Sequence, residues 1–483
     1  MITRRAALGL LGGGTMVGCA RPPRRDDAIE LVIPNDPSTI DPRFVSDVYG
    51  LRIARLCHAA LVAPDRDTAA PTPWLASTLE DEPDGGLIVT LREDAQFHDG
   101  TPVRASDVVA TFRAVGDPAL GSPARRIVAE LTSIEALDER RVRFVPRSPR
   151  ATLRGDLDVA ILKANEAKRP RDAPLTGSGP FRCVGRGRAI ELAGKRTVII
   201  RTVRDEPARA LRIVAGSVDV ASNVLSPAVA FSLPSRRDAV PGLRAERRAA
   251  AATTFLAIQC ERVREPEVRR AIASAIDRAA IVAAKLGGAA PLADGMLPTA
   301  IALSPRGRRP FVHDPAGARS VLSRTGLKLT LVTSTDRNRI GIARAIAQAI
   351  SDAGIPTEVR TYEFATFFAR LAAGDFDLAP LIASEVSDPD VLRWYLHSDA
   401  MPPRGANRAR IRDARIDALL DEGLRTLDVE KRRAVYEELE LVLREQMPYV
   451  PLWHEDHVVV TSSRARAFRP SVDGRWGALS EIV

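Results

Sequence analysis

The sequence predicts an α/β protein with more than one domain. Its 483 residues exceed what a single hydrophobic core usually supports. Residues 253–258 are apolar and β-prone, and residues 266–279 follow with apolar side chains at helical spacing. Residues 328–382 alternate strand, helix, strand, helix and strand. Because such alternation normally joins parallel strands through right-handed crossovers, we expect a parallel sheet there.

Further strands and helices are predicted on both sides of these two segments. Apolar or alternating runs predict strands at 28–34, 87–91, 181–184, 189–192, 197–203, 218–221, 328–333, 358–362, 376–382, 450–453 and 458–461, with two more around a turn in 131–145. Apolar residues at three- and four-residue spacing predict helices at 47–61, 106–112, 206–215, 336–353, 364–373, 411–424 and 429–447.

The first residues have the composition of an export signal. Arg4 and Arg5 precede an apolar, glycine-rich run at 6–18 that is too short to span a ~30 Å hydrocarbon core. The small residues before Cys19 resemble the lipobox of bacterial lipoproteins, which would make Cys19 the acylated first residue of the mature chain. An ordinary cleaved signal with a chance cysteine is the alternative. We therefore predict a signal peptide at 1–18, a lipid-bearing linker at 19–27, and an exported, membrane-attached protein.

Composition and spacing argue against nucleic-acid binding. The formal charge is +9, but the arginines are scattered among acids and aromatic residues make up only 5%. No basic stripe interleaved with stacking residues is present, so we expect a solvated surface and no nucleic-acid partner.

Motifs for catalysis and metal binding are also missing from the sequence. Neither a GxSxG nor an HExxH motif occurs. His454 and His457 are the only close histidine pair, and residues three apart on a strand point to opposite faces. Cys57, Cys183 and Cys260 lie beside apolar residues without CxxC spacing, so buried thiols are expected, although one pair could oxidise outside the cytoplasm. We expect no metal, no cofactor and no enzymatic activity.

Seven short segments carry a resemblance to a known family. They are the segments 39–42 (TIDP), 73–76 (PWLA), 91–108 (with FHDGTP), 177–181 (GSGPF), 215–220 (AGSVDV), 268–278 (VRRAI and IDR) and 448–453 (PYVPLW). In this order they resemble the peptide/nickel class of extracellular solute-binding proteins, family 5, of ABC importers, nearly from end to end. The segments identify a fold and no chemistry.

This resemblance implies a two-lobed periplasmic-binding-protein type II fold with an extra small subdomain in the first lobe. Residues 28–56, 171–258 and 452–483 would form lobe I, residues 57–170 its small subdomain, and residues 259–451 lobe II. The ligand would lie in the cleft and shift the population from open to closed lobes. We place the hinge at Gln259, Cys260 and Glu261, so the oxidation state of Cys260 would affect closure.

The resemblance also points to a ligand-binding loop. Many peptide-binding relatives carry Trp-x-Ala-Asp-Tyr-x-Asp-Pro at 382–389, and the first Asp receives the ammonium group of the peptide. Glu385 stands at that position here, where a carboxylate would bind an amine by a charge-assisted hydrogen bond. Glu385 and Asp388 are the predicted ligand-binding residues. A solvated loop acid is the alternative for Glu385, and a turn or helix-cap role before Pro389 is the favoured alternative for Asp388. Ile382 and Val386 replace aromatic residues, which weakens the prediction of a peptide ligand.

We therefore predict a monomeric, lipid-anchored receptor that delivers a peptide-like solute to the permease and ATPase subunits of an ABC importer. Those partner subunits would hydrolyse ATP. The alternatives are the same role for a non-peptide solute (opine, sugar or metal chelate) and a sensor that has lost transport. A hydrolase in which Glu385 and Asp388 act as a carboxylate pair is the remaining enzyme alternative.

Overall fold

The computed structural model describes residues 25–288 and 290–482. The strands are β1 (Ala28–Ile33), β2 (Val62–Pro64), β3 (Pro71–Pro73), β4 (Ala76–Asp81), β5 (Leu87–Leu91), β6 (Leu131–Ala136), β7 (Arg141–Pro146), β8 (Arg182–Arg186), β9 (Ile190–Ala193), β10 (Thr197–Thr202), β11 (Val220–Ser222), β12 (Arg244–Ile258), β13 (Leu329–Ser334), β14 (Thr357–Tyr362), β15 (Leu378–Ala383) and β16 (Tyr449–Thr461). The helices are α1 (Val48–Cys57), α2 (Ala105–Gly116), α3 (Arg125–Ala129), α4 (Leu153–Asp156), α5 (Glu206–Val214), α6 (Pro227–Ser232), α7 (Pro266–Ala275), α8 (Arg278–Leu286), α9 (Pro315–Leu322), α10 (Arg337–Asp352), α11 (Phe364–Ala373), α12 (Val391–Leu396), α13 (Ala414–Arg425) and α14 (Val429–Gln446). The signal peptide and the acylated Cys19 that the sequence predicts lie outside the described residues.

One ten-stranded sheet runs through both lobes, in the order β14-β13-β15-β12-β16-β11-β1-β10-β9-β8. The first lobe contains β1 and β8 to β11, and the second lobe contains β13 to β15. Strand β13 is parallel to β14 and β15, which confirms the predicted parallel strands. The predicted α/β fold class is confirmed, with separate hydrophobic clusters in the two lobes.

The small subdomain is built on a second sheet, with the antiparallel order β4-β5-β7-β6. Helix α2 covers one face of this sheet, where Phe112 meets Phe144 edge to face at 5.1 Å between ring centroids. The two strands predicted around the 138–139 turn are present as β6 and β7. The subdomain therefore has its own sheet and its own hydrophobic core.

The two longest strands connect the lobes. The first part of β12 (244–249) pairs with the end of β16, whereas its second part (253–258) pairs with the start of β16 and with β15 of the second lobe. The register is irregular between Ala249 and Thr253, and this irregularity marks the change of lobe. The sequence predicted only the second part of β12 and divided β16 into two strands.

The residues predicted as the hinge lie beyond this change of lobe. Gln259 and Cys260 follow the end of β12 and donate backbone hydrogen bonds to Asp377 O (2.9 Å) and Ala409 O (2.8 Å), both in the second lobe. The hinge at Gln259, Cys260 and Glu261 stays a prediction.

A single helix predicted at 266–279 is two helices in the structure. Helix α7 ends at Ala275, and Asp277 begins α8 by accepting a hydrogen bond from Ala280 N at 2.8 Å. Asp277 lies within the stretch of helical spacing at 266–279. It is an N-cap instead, because its carboxylate satisfies a free N–H at the start of the next helix.

Two of the recognised sequence segments meet at the junction of the first lobe and the small subdomain. His98 N donates to Gly177 O at 2.8 Å, and the His98 ring contacts Gly179 O through Nε2 at 2.8 Å. A Cβ at Gly177 or Gly179 would collide with the backbone of α1, so only glycine fits at this crossing. His98 therefore has a structural role, as expected for a turn.

Candidate functional site

A cavity of about 740 Å³ lies between the second lobe and the small subdomain. One wall is the loop after β15, from Glu385 to Asp390, together with α12. The opposite wall comes from α3 and α4 and their neighbours, and Arg475 near the end of the chain closes one side. The loop of Glu385 and Asp388, to which the resemblance points, therefore forms part of the cavity wall.

The two walls touch each other at several points. Ala151 N of the subdomain donates to Leu424 O of the second lobe at 2.8 Å. Arg126 lies over the ring of Trp394, 5.6 Å from its centroid. These contacts join residues on opposite sides of the cavity.

Glu385 lines the cavity but already faces a cation from the first lobe. Its Oε1 lies 3.5 Å from Nη2 of Arg52 on α1. Arg52 is buried and its guanidinium lies over the Trp476 ring. Burial raises the pKa of Glu385, and Arg52 acts against this increase. The carboxylate therefore links the lobes directly, a contact that the sequence did not predict.

The position of the Glu385 side chain depends on its backbone. Its φ is +56°, in the left-handed region, and the next residue, Val386, donates its N–H to Ala251 O at 2.9 Å. Ala251 belongs to the irregular part of β12. The loop that carries Glu385 is thus attached to the segment where the chain changes lobe.

Beside Glu385, four charged residues form a compact network at the base of the cavity. Asp158 accepts from Arg475 and lies 3.1 Å from Nη2 of Arg55, and Arg475 Nε is 2.8 Å from Asp473 Oδ2. These residues come from distant parts of the chain. In the sequence each one looks like an ordinary surface charge, so no local signal could have grouped them.

Asp388 is engaged in a structural contact. Its two carboxylate oxygens accept from Nη1 and Nη2 of Arg432 at 2.7 and 2.6 Å, and Oδ1 also accepts from Asp390 N at 2.8 Å. The last hydrogen bond is the turn contact that the sequence favoured for Asp388. Arg432 is 3% exposed, so this bidentate pair attaches the loop to α14.

Asp390 is another cavity residue that the sequence analysis did not single out. It lines the cavity, and its Oδ1 is buried without a hydrogen-bond partner among the described residues. Burial, together with the neighbouring Asp388, raises the pKa of Asp390 to about 6. An Asp that follows Asp-Pro at the start of a helix has the sequence pattern of an N-cap. The sequence therefore offered no reason to select Asp390 as a candidate binding residue.

The other candidate groups make no metal or redox site. Across the described part of the chain, no group of three or more His, Cys, Asp or Glu is arranged to hold a metal ion. His454 and His457 are buried and contact different partners, Thr253 Oγ1 and the Asn223 amide. Burial lowers the pKa of both histidines to about 4, so both are neutral near pH 7. Cys57, Cys183 and Cys260 are free thiols.

Comparison with known proteins identifies the class of this protein. Residues 70–402 match the model of the bacterial extracellular solute-binding proteins, family 5. This match covers more than half of the chain, and the protein belongs to that family. The family that the sequence segments suggested is therefore confirmed.

Individual relatives and structures agree with this assignment. The di/tripeptide-binding protein 2 of Pseudomonas aeruginosa is 27% identical, with 86% of this chain and 88% of the relative covered. The fold is shared with DppA from Helicobacter pylori in complex with the peptide STSA (TM-score 0.78, 22% identity, 93% and 96% coverage). It is also shared with NikA from Brucella suis in complex with Fe(III)-EDTA (TM-score 0.84, 20% identity, 94% and 99% coverage). The predicted two-lobed binding-protein fold is confirmed.

Within residues 25–288 and 290–482, no helix has the length and apolar character needed to cross a membrane.

Proposed function

We propose that the protein is the solute-binding component of an ABC importer and captures a peptide-like small solute between its two lobes. The observation that carries the proposal is the 740 Å³ cavity whose walls come from both sides of the cleft. A solute in such a cavity contacts both walls only when the lobes are together, so binding stabilises the closed form. The role is one of binding and delivery, without catalysis.

We propose that closure bends β12 and β16 where they pass between the lobes. The irregular register between Ala249 and Thr253 leaves fewer cross-strand hydrogen bonds there than in a regular pair. The hinge predicted at Gln259, Cys260 and Glu261 is the competing location. Val386 is attached to Ala251, so bending at this segment would move the Glu385 loop with it.

We further propose that the protein is exported and held at the membrane as a monomer through an acylated Cys19. Support comes from the family, whose members are extracellular binding proteins, and from the lipobox-like residues before Cys19. Tethering would keep the receptor close to the permease that accepts its solute. Mass spectrometry of the mature N-terminus tests the anchor, since an unmodified Cys19, or cleavage elsewhere, contradicts it.

The ligands named for similar proteins fall into two classes. A relative named for di- and tripeptides supports a peptide-like solute, whereas a structural neighbour holds Fe(III)-EDTA. The missing aromatic side chains at Ile382 and Val386 and the charged cavity of this chain favour small, polar ligands over apolar peptides.

A thermal-shift screen of dipeptides, tripeptides, opines, sugars and metal chelates tests the proposal. A ligand at 100 times its Kd stabilises the folded protein by about 2.7 kcal/mol. We expect at least one small polar solute to raise the Tm. If none does, and glycosides or esters are turned over instead, the enzyme alternative replaces the proposal.

Replacing Glu385 with alanine is expected to weaken binding of an amine-bearing ligand by about 1–3 kcal/mol, because a partly buried charged hydrogen-bonding group is lost. The variant also leaves Arg52 buried without its carboxylate, which makes closure less favourable. Calorimetry measures the change, with the exposed neighbour Ser384→Ala as the control. If the variant binds the amine-bearing ligand as tightly as the wild type does, Glu385 is not part of the binding site. If the variant loses the same affinity for an N-acetylated ligand, the effect is assigned to the contact with Arg52 alone.

A further inference from the structure

We infer that Cys57 and Cys183 form a disulfide bond in the exported protein, and that this bond joins the end of α1 to β8. The inference rests on the proposed export in one respect, because disulfides persist in oxidising compartments and are rare in the cytoplasm. The choice of this pair rests on contacts within the first lobe.

Two backbone hydrogen bonds hold the segment before β8 against the end of α1. Gly179 N donates to Cys57 O at 2.9 Å, and Phe181 N donates to Leu56 O at 3.0 Å. A Cβ at Gly179 would lie 2.4 Å from Leu56 O, so the two backbones are in direct contact. Cys57 is the last residue of α1, and Cys183 follows Phe181 by two residues. Both cysteines therefore lie at this crossing.

The side chain of Cys183 lies on the inner face of β8. Arg182 and Val184 on either side of it are exposed, whereas Cys183 is partly buried, as expected from the alternation of side chains along a strand. Cys183 packs against the core cluster of the first lobe that contains Cys57 and Phe181. Helix α1 and strand β8 are in contact, so the two thiols occupy the same layer of the lobe.

The two cysteines also affect each other's chemistry. Burial and then the neighbouring Cys183 thiol raise the pKa of Cys57 to about 12, and a hydrogen bond from the Cys183 backbone acts against this increase. Both effects require close approach, so the Cys57 sulfur lies beside Cys183. Cys260 packs against a core cluster of the second lobe, and its N–H donates to Ala409 O at 2.8 Å. Among the described residues, Cys183 is therefore the thiol that Cys57 can reach.

The position of this pair gives the bond a structural consequence. Residues 57–183 include all four strands of the small subdomain sheet, together with α3 and α4 of the cavity wall. A bond between Cys57 and Cys183 would tie together the two chain segments that lead into and out of this subdomain. Because a cross-link that closes a long loop removes much freedom from the unfolded chain, the bond should stabilise the folded protein.

Formation of the bond needs an oxidant, and a small or protein-borne disulfide, R–S–S–R, outside the cytoplasm would supply it. Cys57 is 4% exposed, so the more accessible Cys183 thiolate attacks first and forms a mixed disulfide while one RS⁻ leaves. The Cys57 thiolate then attacks the Cys183 sulfur and displaces the second RS⁻. The two protons of the cysteine thiols pass to the two RS⁻ groups, so the oxidant is reduced to two molecules of thiol.

Oxidation of the purified, fully reduced chain with oxidised glutathione tests the pairing independently of export. After the remaining thiols have been alkylated, trypsin places the three cysteines of the described residues on separate peptides, 56–66, 183–186 and 249–262. We expect mass spectrometry to find the first two peptides linked, in the wild type and in the control variant Cys260→Ser. If Cys57 and Cys183 stay unlinked, or if either is linked to Cys260, the inference is overturned.

Thermal unfolding supplies a second readout. The oxidised wild type should have a Tm about 5 °C or more above that of the reduced wild type. Cys183→Ser is the test variant because Cys183 is only partly buried, and a reducing agent should leave its Tm unchanged. Cys260→Ser is the matched control and should respond to the reducing agent as the wild type does. If the linked wild type has the same Tm with and without the reducing agent, the bond does not stabilise the junction and that part of the inference is overturned.

Protein taken from its native cells, with free thiols alkylated during lysis, separates a failure of the pairing from a failure of the proposed export. The linked peptides in a fraction outside the cytoplasm support both. If glutathione links the pair but the cellular protein lies in the cytoplasm with free thiols, the proposed export is wrong and the pairing stands. Free Cys57 and Cys183 thiols in protein recovered from outside the cytoplasm overturn the inference and leave the proposed export intact.

Discussion

Replacing Arg43 with methionine is expected to lower the free energy of unfolding by about 3–5 kcal/mol, the cost of breaking a buried ion pair by removing one partner. Arg43 is 2% exposed and forms a bidentate pair with Asp41, with distances of 2.9 and 2.6 Å. Methionine fills a similar volume but leaves the Asp41 carboxylate buried without its cation.

The loss should be large because Arg43 also organises the connector that leads back from the small subdomain. Its guanidinium donates to the carbonyl oxygens of Ala167 (3.2 Å), Arg169 (2.6 Å) and Pro170 (3.2 Å). Without Arg43 these carbonyl groups lose their donor as well. Asp41 belongs to the TIDP segment that carried the family resemblance, so this pair gives that segment a physical role.

Urea unfolding followed by circular dichroism measures the effect. Arg113→Met, on the exposed face of α2, is the matched control and should change the unfolding free energy by no more than about 0.5 kcal/mol. If Arg43→Met is as stable as this control, the Asp41–Arg43 pair does not hold the connector.

Replacing Arg432 with methionine is expected to cost about 3 kcal/mol or more of folding free energy and to weaken solute binding. Arg432 is buried, holds both oxygens of Asp388, and donates from Nε to Gly423 O at 2.8 Å. Its removal leaves Asp388 without a counter-charge at the base of the loop that forms the cavity wall. The loop would then no longer be fixed relative to α14.

Lys431→Met provides the matched control for this prediction, since Lys431 is the exposed neighbour on the same helix. The Tm of each variant and its affinity for a solute found in the screen give the comparison. A variant Arg432→Met that unfolds earlier but binds with wild-type affinity would separate the stability role of Arg432 from the shape of the cavity.

The regular elements follow closely from the sequence where the hydrophobic pattern is local. The alternation of strands and helices at 328–382 corresponds to β13, α10, β14, α11 and β15. The first part of β12 was missed because residues 244–249 are rich in arginine and have little apolar alternation. That segment is a strand because β16 pairs with it, and such a partner cannot be detected in a local window.

The candidate site was predictable only in part, because contacts with distant parts of the chain cannot be detected in a local window. The resemblance located the loop of Glu385 and Asp388, but not what those side chains contact. Arg52 and Arg432 come from helices far away in the sequence, and they change how the two carboxylates are interpreted. Asp390 stands out only because the other cavity acids are seen to have partners.

Native mass spectrometry of the full chain, purified from its native cells, tests the central claim most directly. The account predicts one small polar solute bound to each protein molecule, released on denaturation and rebound when it is added back. A protein that carries no small molecule and binds none from an extract of those cells would contradict the account.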